Sequence, residues 1–275
     1  MATQFGTNSA DILFGLNEPD TIYGLAGGDD INGLRGEDLL YGGAGNDTLR
    51  GGTGADYLSG SFDNDTLIGG SQFDRINGGD GDDSLYGGTE DDALNGEDGN
   101  DLLDGGDGSD SMLGGAGNDR IFGGRGTDGL YGNEGLDKLY GGDGADNLRG
   151  GDNTDELYGG AGDDRVEGGQ GFDLMEGGDG ADRFVFLASE AGGEITDFDS
   201  SEGDKIDLSF LNGNASFVGS GTESGPLGRG EIAYIEDDDF IGYYVGTDDD
   251  TSDFSDVSFR VVGTEMLAES DFILA

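Results

Sequence analysis

Residues 141–149 read Gly-Gly-Asp-Gly-Ala-Asp-Asn-Leu-Arg, and this nine-residue pattern decides the fold of most of the chain. Glycine recurs every nine residues from Gly6 to Gly177, and an aspartate follows each of these glycines after five residues. Two residues after each aspartate stands an apolar residue, and the twenty repeats contain no insertion or deletion. So strict a period predicts that each repeat is one structural unit stacked on the next, with the carboxylates in rows.

The residues within one repeat predict a turn followed by a short strand. The six glycine-rich residues favour a tight turn, because glycine permits positive φ and close approach of the backbone. In the three-residue strand that follows, the middle side chain is always apolar and is expected to face inward. Two repeats then form one coil of 18 residues, and the repeats build an all-β parallel solenoid of about ten coils.

The pattern divides the chain into a lead-in of residues 1–5, a repeat region of residues 6–185 and a C-terminal region of residues 186–275. In the last region, runs rich in β-branched and aromatic residues are separated by Gly, Asp and Ser, which predicts a small β-rich cap over the open end of the solenoid. These runs are residues 184–187, 205–210, 231–235, 240–245 and 257–262.

Charge and missing residue types exclude several classes of function. The formal net charge is −49, from 61 acidic and 12 basic residues, so the chain repels nucleic acid and attracts cations. It contains no Cys and no His, which excludes thiolate metal sites, HExxH zinc sites and Ser-His-Asp triads. The sequence contains no GxSxG motif and no apolar run long enough for a transmembrane helix. Its first residues do not show the pattern of a cleaved signal peptide.

Stacked turns would bring carboxylates and backbone carbonyls together, and these are hard oxygen donors. Such a set suits Ca²⁺, which accepts six to eight oxygens at flexible angles, better than Zn²⁺ or Mg²⁺. The alternative is that the aspartates only form Asx-turns on a solvated surface. That alternative does not require aspartate in all twenty repeats, and the EF-hand pattern is missing.

The repeat GGxGxDxUx, in which U is a large apolar residue, resembles the RTX family, whose members carry haemolysin-type calcium-binding repeats. This resemblance covers residues 6–185 and implies a right-handed parallel β-roll in which Ca²⁺ lies between turns two repeats apart. The first two turns depart from the pattern and are expected to act as a cap. The expected carboxylate ligands are Asp29, Asp38, Asp47, Asp56, Asp65, Asp74, Asp83, Asp92, Asp101, Asp110, Asp119, Asp128, Asp137, Asp146, Asp155, Asp164, Asp173 and Asp182.

The turn GGxGxD is complete in ten repeats, lacks only its second glycine in four and departs further in six. On one edge of the solenoid the complete turns at Gly105, Gly123, Gly141, Gly159 and Gly177 are consecutive, so four well-formed sites are expected between them. The opposite edge is interrupted at Gly60 and Gly150. The expected backbone ligands on the complete edge are Gly105, Gly106, Gly108, Gly123, Gly124, Gly126, Gly141, Gly142, Gly144, Gly159, Gly160 and Gly162.

Two C-terminal segments carry a second resemblance. Residues 182–209 are similar to the region that follows the β-roll in serralysin-type proteases. Residues 269–275, an acidic residue followed by apolar ones, resemble the uncleaved type I secretion signal of the same proteins. The resemblance implies a secreted, extracellular bacterial protein, with calcium ions and the type I (ABC) secretion machinery as partners.

The leading hypothesis is therefore a non-enzymatic protein, exported unfolded and folded outside the cell by Ca²⁺, with a role at a surface, in a matrix or in an interaction. One alternative is a non-catalytic calcium-binding module of a secreted protease, lipase or alginate epimerase. Another is a polysaccharide-binding adhesin, because Phe122, Tyr140 and Tyr158 are expected to form an outward column on successive coils. Cross-strand stacking is the preferred explanation of that column, and a carbohydrate or protein contact is the alternative.

Overall fold

Strands of the repeat region pair with the strands one coil before and one coil after them, always in parallel. Leu85 lies opposite Leu67 on one side and opposite Leu103 on the other, an offset of 18 residues in each direction. Two repeats therefore make one coil, as the sequence predicts. Each coil contributes one strand to each of two sheets, so alternate strands of the chain belong to different sheets.

The computed structural model describes residues 2–187, 192–209, 216–220, 231–236, 240–245, 257–262 and 267–274. Within these residues the chain forms strands and short 3₁₀ segments, such as Glu269–Asp271, and contains no α-helix. The predicted all-β class is confirmed. In the same residues no helix is long and apolar enough to cross a lipid bilayer.

The first sheet contains, in spatial order, β1 (Ala2–Phe5), β3 (Asp20–Ala26), β5 (Leu39–Ala44), β7 (Tyr57–Phe62), β9 (Arg75–Asp80), β11 (Ala93–Asp98), β13 (Ser111–Ala116), β15 (Gly129–Glu134), β17 (Asn147–Asp152), β19 (Arg165–Gln170), β21 (Arg183–Val185), β23 (Lys205–Asp207) and β28 (Phe272–Ile273). The second sheet contains β2 (Ile12–Phe14), β4 (Asp30–Arg35), β6 (Thr48–Thr53), β8 (Thr66–Ser71), β10 (Ser84–Thr89), β12 (Leu102–Asp107), β14 (Arg120–Arg125), β16 (Lys138–Asp143), β18 (Glu156–Ala161), β20 (Asp173–Asp179), β22 (Gly192–Ile195), β27 (Val257–Val262), β26 (Phe240–Val245), β25 (Glu231–Glu236) and β24 (Ser216–Ser220).

The core is a double column of the apolar residues that recur every nine positions. From Leu13 to Phe184 all of these side chains are buried, and none is more than 6% exposed. Because neighbouring residues in a strand point to opposite faces, the residues on either side of each apolar residue lie on the outer surface. The predicted inward position is therefore confirmed throughout the repeat region.

The strands are longer than the sequence suggests. Three-residue strands were expected, but most strands run for six residues, as Thr48–Thr53 does. Pairing continues through the first glycines of the next repeat, where Gly52 lies opposite Gly70. The second glycine adopts a positive φ, 109° at Gly52, and the chain bends there without leaving the sheet. The turn proper is therefore only about three residues long.

Both sheets continue beyond the last repeat. Strand β22 pairs with β20 of the second sheet, and β23 pairs with β21 of the first sheet. Pairing of Ala2–Phe5 with β3 adds one more strand at the other end. With these additions the solenoid has about eleven turns, where about ten were predicted. Each predicted C-terminal run contains a strand, but β21 and β23 end earlier than predicted, at Val185 and Asp207. Phe210 and the last residue, Ala275, lie outside the described residues.

An aromatic cluster closes the apolar column at the C-terminal end. The rings of Phe186 and Phe259 stack at 4.8 Å, and the ring of Tyr243 stacks on Phe259 at 5.3 Å. Phe272 completes the cluster with its edge toward Tyr243. These rings are buried, so the last coils are covered by apolar surface and not by water.

Candidate metal centre

Each repeat aspartate stands where the turn meets the following strand, and one of its carboxylate oxygens holds the neighbouring coil. The backbone N–H of Asp110 donates to Oδ1 of Asp128 at 2.7 Å, and that of Asp128 donates to Oδ1 of Asp146 at 2.8 Å. The same hydrogen bond links each repeat aspartate from Asp11 to Asp164 with its counterpart one coil later, 18 residues further along the chain. Oδ1 therefore has a structural role along both edges of the solenoid.

The second oxygen, Oδ2, is buried and has no hydrogen-bond partner within the described chain in eighteen of these aspartates. They are Asp29, Asp38, Asp47, Asp56, Asp65, Asp74, Asp83, Asp92, Asp101, Asp110, Asp119, Asp128, Asp137, Asp146, Asp155, Asp164, Asp173 and Asp182. None of these residues is more than 3% exposed. A buried carboxylate oxygen without a donor is costly, so each one requires a bound proton or a cation.

The first two turns differ. Oδ2 of Asp11 accepts hydrogen bonds from the backbone N–H and the hydroxyl of Thr7, at 2.6 and 2.9 Å. Oδ2 of Asp20 accepts one from the backbone N–H of Leu16, at 2.5 Å. Donors within the turn satisfy both carboxylates, so these turns need no cation.

The first glycine of the turn lies directly beneath the unpaired oxygen. A methyl group added at Gly123 would lie 2.6 Å from Oδ2 of Asp128 and would also overlap the carbonyl oxygen of Gly141, one coil later. At Gly159 it would meet Oδ2 of Asp164 and, at 2.5 Å, the carbonyl oxygen of Gly177. Two oxygens of different coils therefore converge on the space that a side chain would fill.

The second and fourth glycines supply further carbonyls to the same gap between turns. Methyl groups added at Gly142 and Gly144 would overlap the carbonyl oxygens of Gly124 and Gly126. The predicted glycines of the complete edge thus surround the gaps between its turns. The second-position residues Gly106, Gly124, Gly142 and Gly160 have φ of 104–114°, and the fourth-position residues Gly108, Gly126, Gly144 and Gly162 have φ of 134–154°.

This donor set fits a calcium ion. In the described chain no group of three or more acidic side chains is arranged to hold a metal by side chains alone, so a site must combine the carboxylate with carbonyls. Between the turns at Gly123 and Gly141 the candidate donors are Oδ2 of Asp128 and the carbonyl oxygens of Gly124, Gly126 and Gly141. Carboxylate and carbonyl oxygens suit Ca²⁺, which tolerates irregular geometry.

Burial and the neighbouring carboxylates raise the pKa of the aspartates. Burial is the larger cause, and like charges one coil away add to it, while the hydrogen bond to Oδ1 acts in the opposite direction. The pKa is raised to about 8 at Asp65, Asp74 and Asp155, to about 7 at Asp83, Asp92, Asp119 and Asp164, and to about 6 at Asp47, Asp56, Asp101, Asp110, Asp137, Asp146, Asp173 and Asp182. Without a cation these carboxylates resist ionisation.

A second ladder, on the interrupted edge, was not predicted from the sequence. Oδ1 of Asn100 accepts hydrogen bonds from the backbone N–H and the side-chain amide of Asn118, at 2.9 and 3.2 Å. Oδ1 of Asp82 likewise accepts hydrogen bonds from the backbone N–H and the side-chain amide of Asn100. Oδ1 of Asn118 accepts one from the backbone N–H of Leu136. Recurrence of Asn and Asp at 18-residue spacing is the signal that could have identified this ladder.

The predicted outward column of aromatic residues is confirmed. The rings of Phe122 and Tyr140 stack at 4.9 Å with an interplanar angle of 6°, and those of Tyr140 and Tyr158 at 4.9 Å and 5°. Because these rings cover one another's faces, Tyr140 has no free face for a ligand. An unpredicted second column, Phe5–Tyr23–Tyr41, stands on the first sheet.

Comparison with protein-family profiles agrees with the assignment of the repeats. The sequence profile of the RTX calcium-binding nonapeptide repeat matches ten overlapping stretches that together span residues 5–187. A search of curated proteins finds no match. Among solved structures, the AlgE6R3 subunit of the Azotobacter vinelandii mannuronan C5-epimerase is 26% identical, with a TM-score of 0.36 over 58% of this chain and 80% of that one.

Proposed function

Because the chain belongs to the RTX calcium-binding nonapeptide repeat family, we propose that it is a secreted β-roll that Ca²⁺ folds outside the cell. The observation that carries this proposal is the two rows of buried aspartate oxygens, eighteen in all, that have no donor in the described chain. A row of this kind cannot be ionised and stable unless cations accompany it.

Calcium would be held between successive turns on the same edge. In our proposal the carboxylates of Asp29 to Asp182 supply the charge, and carbonyl oxygens of the first, second and fourth turn residues complete the set. The complete edge, with Asp110, Asp128, Asp146 and Asp164 between its turns, is expected to bind most tightly. A bound divalent ion would neutralise the charge that opposes stacking.

Folding and metal binding are then one process. The core contains only one inward apolar side chain per nine residues, and glycine-rich backbone loses much entropy on folding. Free energy of ion binding therefore becomes free energy of folding. The chain would stay extended where Ca²⁺ is scarce and would fold where it is plentiful.

This coupling supports export through a type I channel. An unfolded chain can be threaded, and residues 269–275 resemble an uncleaved C-terminal signal for that route. We propose a binding role at a surface or in a matrix and assign no catalytic residue. The buried acidic oxygens that lack hydrogen bonds in the described chain belong almost entirely to the cation-binding turns.

A calcium titration followed by far-UV circular dichroism tests the folding step. Starting from protein treated with EGTA, Ca²⁺ should convert a coil spectrum into a β spectrum cooperatively, and Mg²⁺ at equal concentration should not. A β spectrum that persists in EGTA would contradict the proposal. Export is tested separately, by expressing the full chain with a type I exporter and comparing it with a variant that lacks residues 269–275, which should stay in the cell.

A further inference from the structure

One strand of the first sheet breaks the repeat pattern on its outer surface. The residue before the inward apolar residue is glycine in only one of the twenty repeats, at Gly129. In other repeats this outward position carries residues such as Thr21, Thr48 or Thr66. Glycine weakens a strand, so its presence here points to something that lies close against the backbone.

What lies there is the side chain of Tyr131. A methyl group added at Gly129 would be 3.3 Å from Cε2 of the Tyr131 ring and 3.7 Å from its hydroxyl. The ring therefore leans along strand β15 onto Gly129, and its hydroxyl accepts a hydrogen bond from Nδ2 of Asn147 at 3.2 Å. No aromatic ring of the described chain stacks on it, in contrast to the rings of the two columns.

Beside this ring a row of cations follows the solenoid axis. Arg165 lies opposite Asn147, Arg183 opposite Arg165, and Lys205 opposite Arg183, on successive strands of the first sheet. Strand spacing sets neighbouring members about 4.8 Å apart. Arg149 stands beside the row on β17. We call Tyr131, Asn147, Arg149, Arg165, Arg183 and Lys205 the cationic strip.

In this strip the cations form the outer layer and their carboxylate partners lie beneath them. The side chains of Arg149 and Arg183 are 53% and 46% exposed, whereas those of Glu167 and Asp207 are each only 4% exposed. Glu167 pairs with Arg149 and with Arg165, while Asp207 pairs with Arg183. Burial keeps the acids in place, and the guanidinium groups retain an outward face.

The strip is exceptional in a chain of this charge. It holds four of the 12 basic residues, in a protein with 61 acidic ones. An ion-pair ladder that served stability alone would not need a glycine to accommodate the neighbouring Tyr131. A flat ring and evenly spaced cations along one axis together match a linear ligand with repeated anionic groups.

We propose that the cationic strip binds a linear polysaccharide whose sugar units carry carboxylates. A sugar ring would pack on Tyr131, and the guanidinium groups of Arg165 and Arg183 would pair with carboxylates along the chain. The amide of Asn147 bonds the Tyr131 hydroxyl and Arg165, so it holds the ring and the first cation in place. Nucleic acid carries a denser charge, which the surrounding acidic surface disfavours. This inference builds on the proposed function, because the strip exists only when the roll is folded.

The test measures binding of galacturonate oligomers, too short to gel, to the full chain in Ca²⁺, by calorimetry. Methyl-esterified oligomers of the same length serve as the uncharged control. We expect the free acid to bind at least about tenfold more tightly than the ester, and to weaken as salt is added. Equal affinity for the two oligomers, tighter binding of single-stranded DNA, or no binding by folded protein would overturn the proposal.

Two variants locate the site. Gly129→Thr introduces the residue found at this position in other repeats, and threonine favours a strand. The added side chain displaces the Tyr131 ring, so affinity for the oligomer should fall about tenfold while the circular dichroism spectrum stays the same. Arg165→Gln combined with Arg183→Gln should lower affinity about a hundredfold. Arg50→Gln, which removes an exposed cation of the second sheet, is the matched control and should bind normally.

Affinity unchanged in both strip variants would overturn the assignment. Circular dichroism of every sample separates this result from a failure of calcium-driven folding. Should the chain prove β-structured without Ca²⁺, binding is measured on that form, so a failure of the strip can be distinguished from a failure of calcium-driven folding.

Discussion

The backbone N–H of Asp110 donates to Oδ1 of Asp128 at 2.7 Å, while Oδ2 of the same Asp128 carboxylate is buried without a hydrogen-bond donor in the described chain. One carboxylate thus has two tasks, since one oxygen holds adjacent coils together and the other faces the gap between turns. This division explains why aspartate recurs in every repeat from the third onward. Asparagine could perform the first task but would bring no charge to the second.

Replacing Asp128 by Asn separates these tasks. The amide oxygen can still accept the hydrogen bond from Asp110, but the negative charge next to the gap is lost. We expect the Ca²⁺ concentration at the midpoint of folding to rise about two- to tenfold, because calcium affinity depends on ligand charge. Circular dichroism during a Ca²⁺ titration measures this midpoint.

Asp11→Asn is the matched control for that change. Oδ2 of Asp11 is satisfied by Thr7, and an amide oxygen can replace it there. The midpoint should move by less than about twofold. An equal effect of the two substitutions would show that charge in general, and not the unpaired oxygen, sets the calcium response.

Acidification should favour folding of the metal-free chain. The pKa of Asp65, Asp74 and Asp155 is raised to about 8 in the folded state by burial and then by like charges, against 3.8 for an unperturbed aspartate. The folded chain therefore binds more protons than the unfolded chain, and its stability rises as pH falls through about 8 toward 4. In EGTA, the β signal should grow over this range.

Two controls accompany the pH titration. High salt at pH about 8 screens exposed charges but not buried ones, so it should restore little of the β signal. In the presence of Ca²⁺, acidification should weaken calcium binding, because protons and Ca²⁺ compete for Oδ2. The Ca²⁺ concentration at the midpoint of the titration should therefore rise as the pH falls. A metal-free chain whose β signal is independent of pH would contradict the assigned cause.

The fold could be predicted from the sequence because its determinants are local and repeated. The apolar residues that stand two positions after each aspartate, from Leu13 to Phe184, form the core. The pairing register of 18 residues follows because each coil contains two nine-residue repeats. Strand length could not be predicted in this way. Pairing of Gly52 with Gly70 depends on the neighbouring coil, and a pair of glycines by itself resembles a turn.

Prediction of the site was less complete. The aspartates stood out through their period, but their division into a bonded Oδ1 and an unpaired Oδ2 is a three-dimensional property. The Asn100–Asn118 ladder and the contact of Tyr131 with Gly129 likewise connect residues whose significance appears only when coils are stacked. A lone glycine at an outward position was visible in the sequence, but its meaning required the ring beside it.

Leu34 occupies the second position of a turn, where most repeats carry glycine, and its φ is 77°. Left-handed backbone conformations strain side chains other than glycine. We expect Leu34→Gly to stabilise the calcium-loaded protein by about 1 kcal/mol or less, because glycine also gains entropy in the unfolded chain. Leu39→Gly is the control, since Leu39 is equally exposed, 38% against 39%, and lies in a strand without positive φ. The melting temperature of the Leu39→Gly variant should fall.

The asparagine ladder should contribute stability that does not depend on metal. Asn100→Ala removes the acceptor for two donors of Asn118, and we expect a loss of about 1 kcal/mol in the free energy of unfolding. Denaturant unfolding in saturating Ca²⁺ measures this loss. The calcium stoichiometry, determined by calorimetry, should stay the same, whereas a lower stoichiometry would place Asn100 among the groups that hold ions.

Tyr140 stacks on Phe122 and on Tyr158, both at 4.9 Å, so its replacement tests whether the column serves stability or binding. We expect Tyr140→Ala to lower the free energy of unfolding by about 1 kcal/mol more than Tyr86→Ala, because stacked pairs add to the effect of burial. Tyr86 occupies the same outward position on the second sheet, between Ile68 and Asp104, and has no aromatic neighbour across the strands. Binding of galacturonate oligomers should be unaffected by either change, since the cationic strip lies on the first sheet. Normal stability with lost binding in Tyr140→Ala would instead identify the column as the ligand platform.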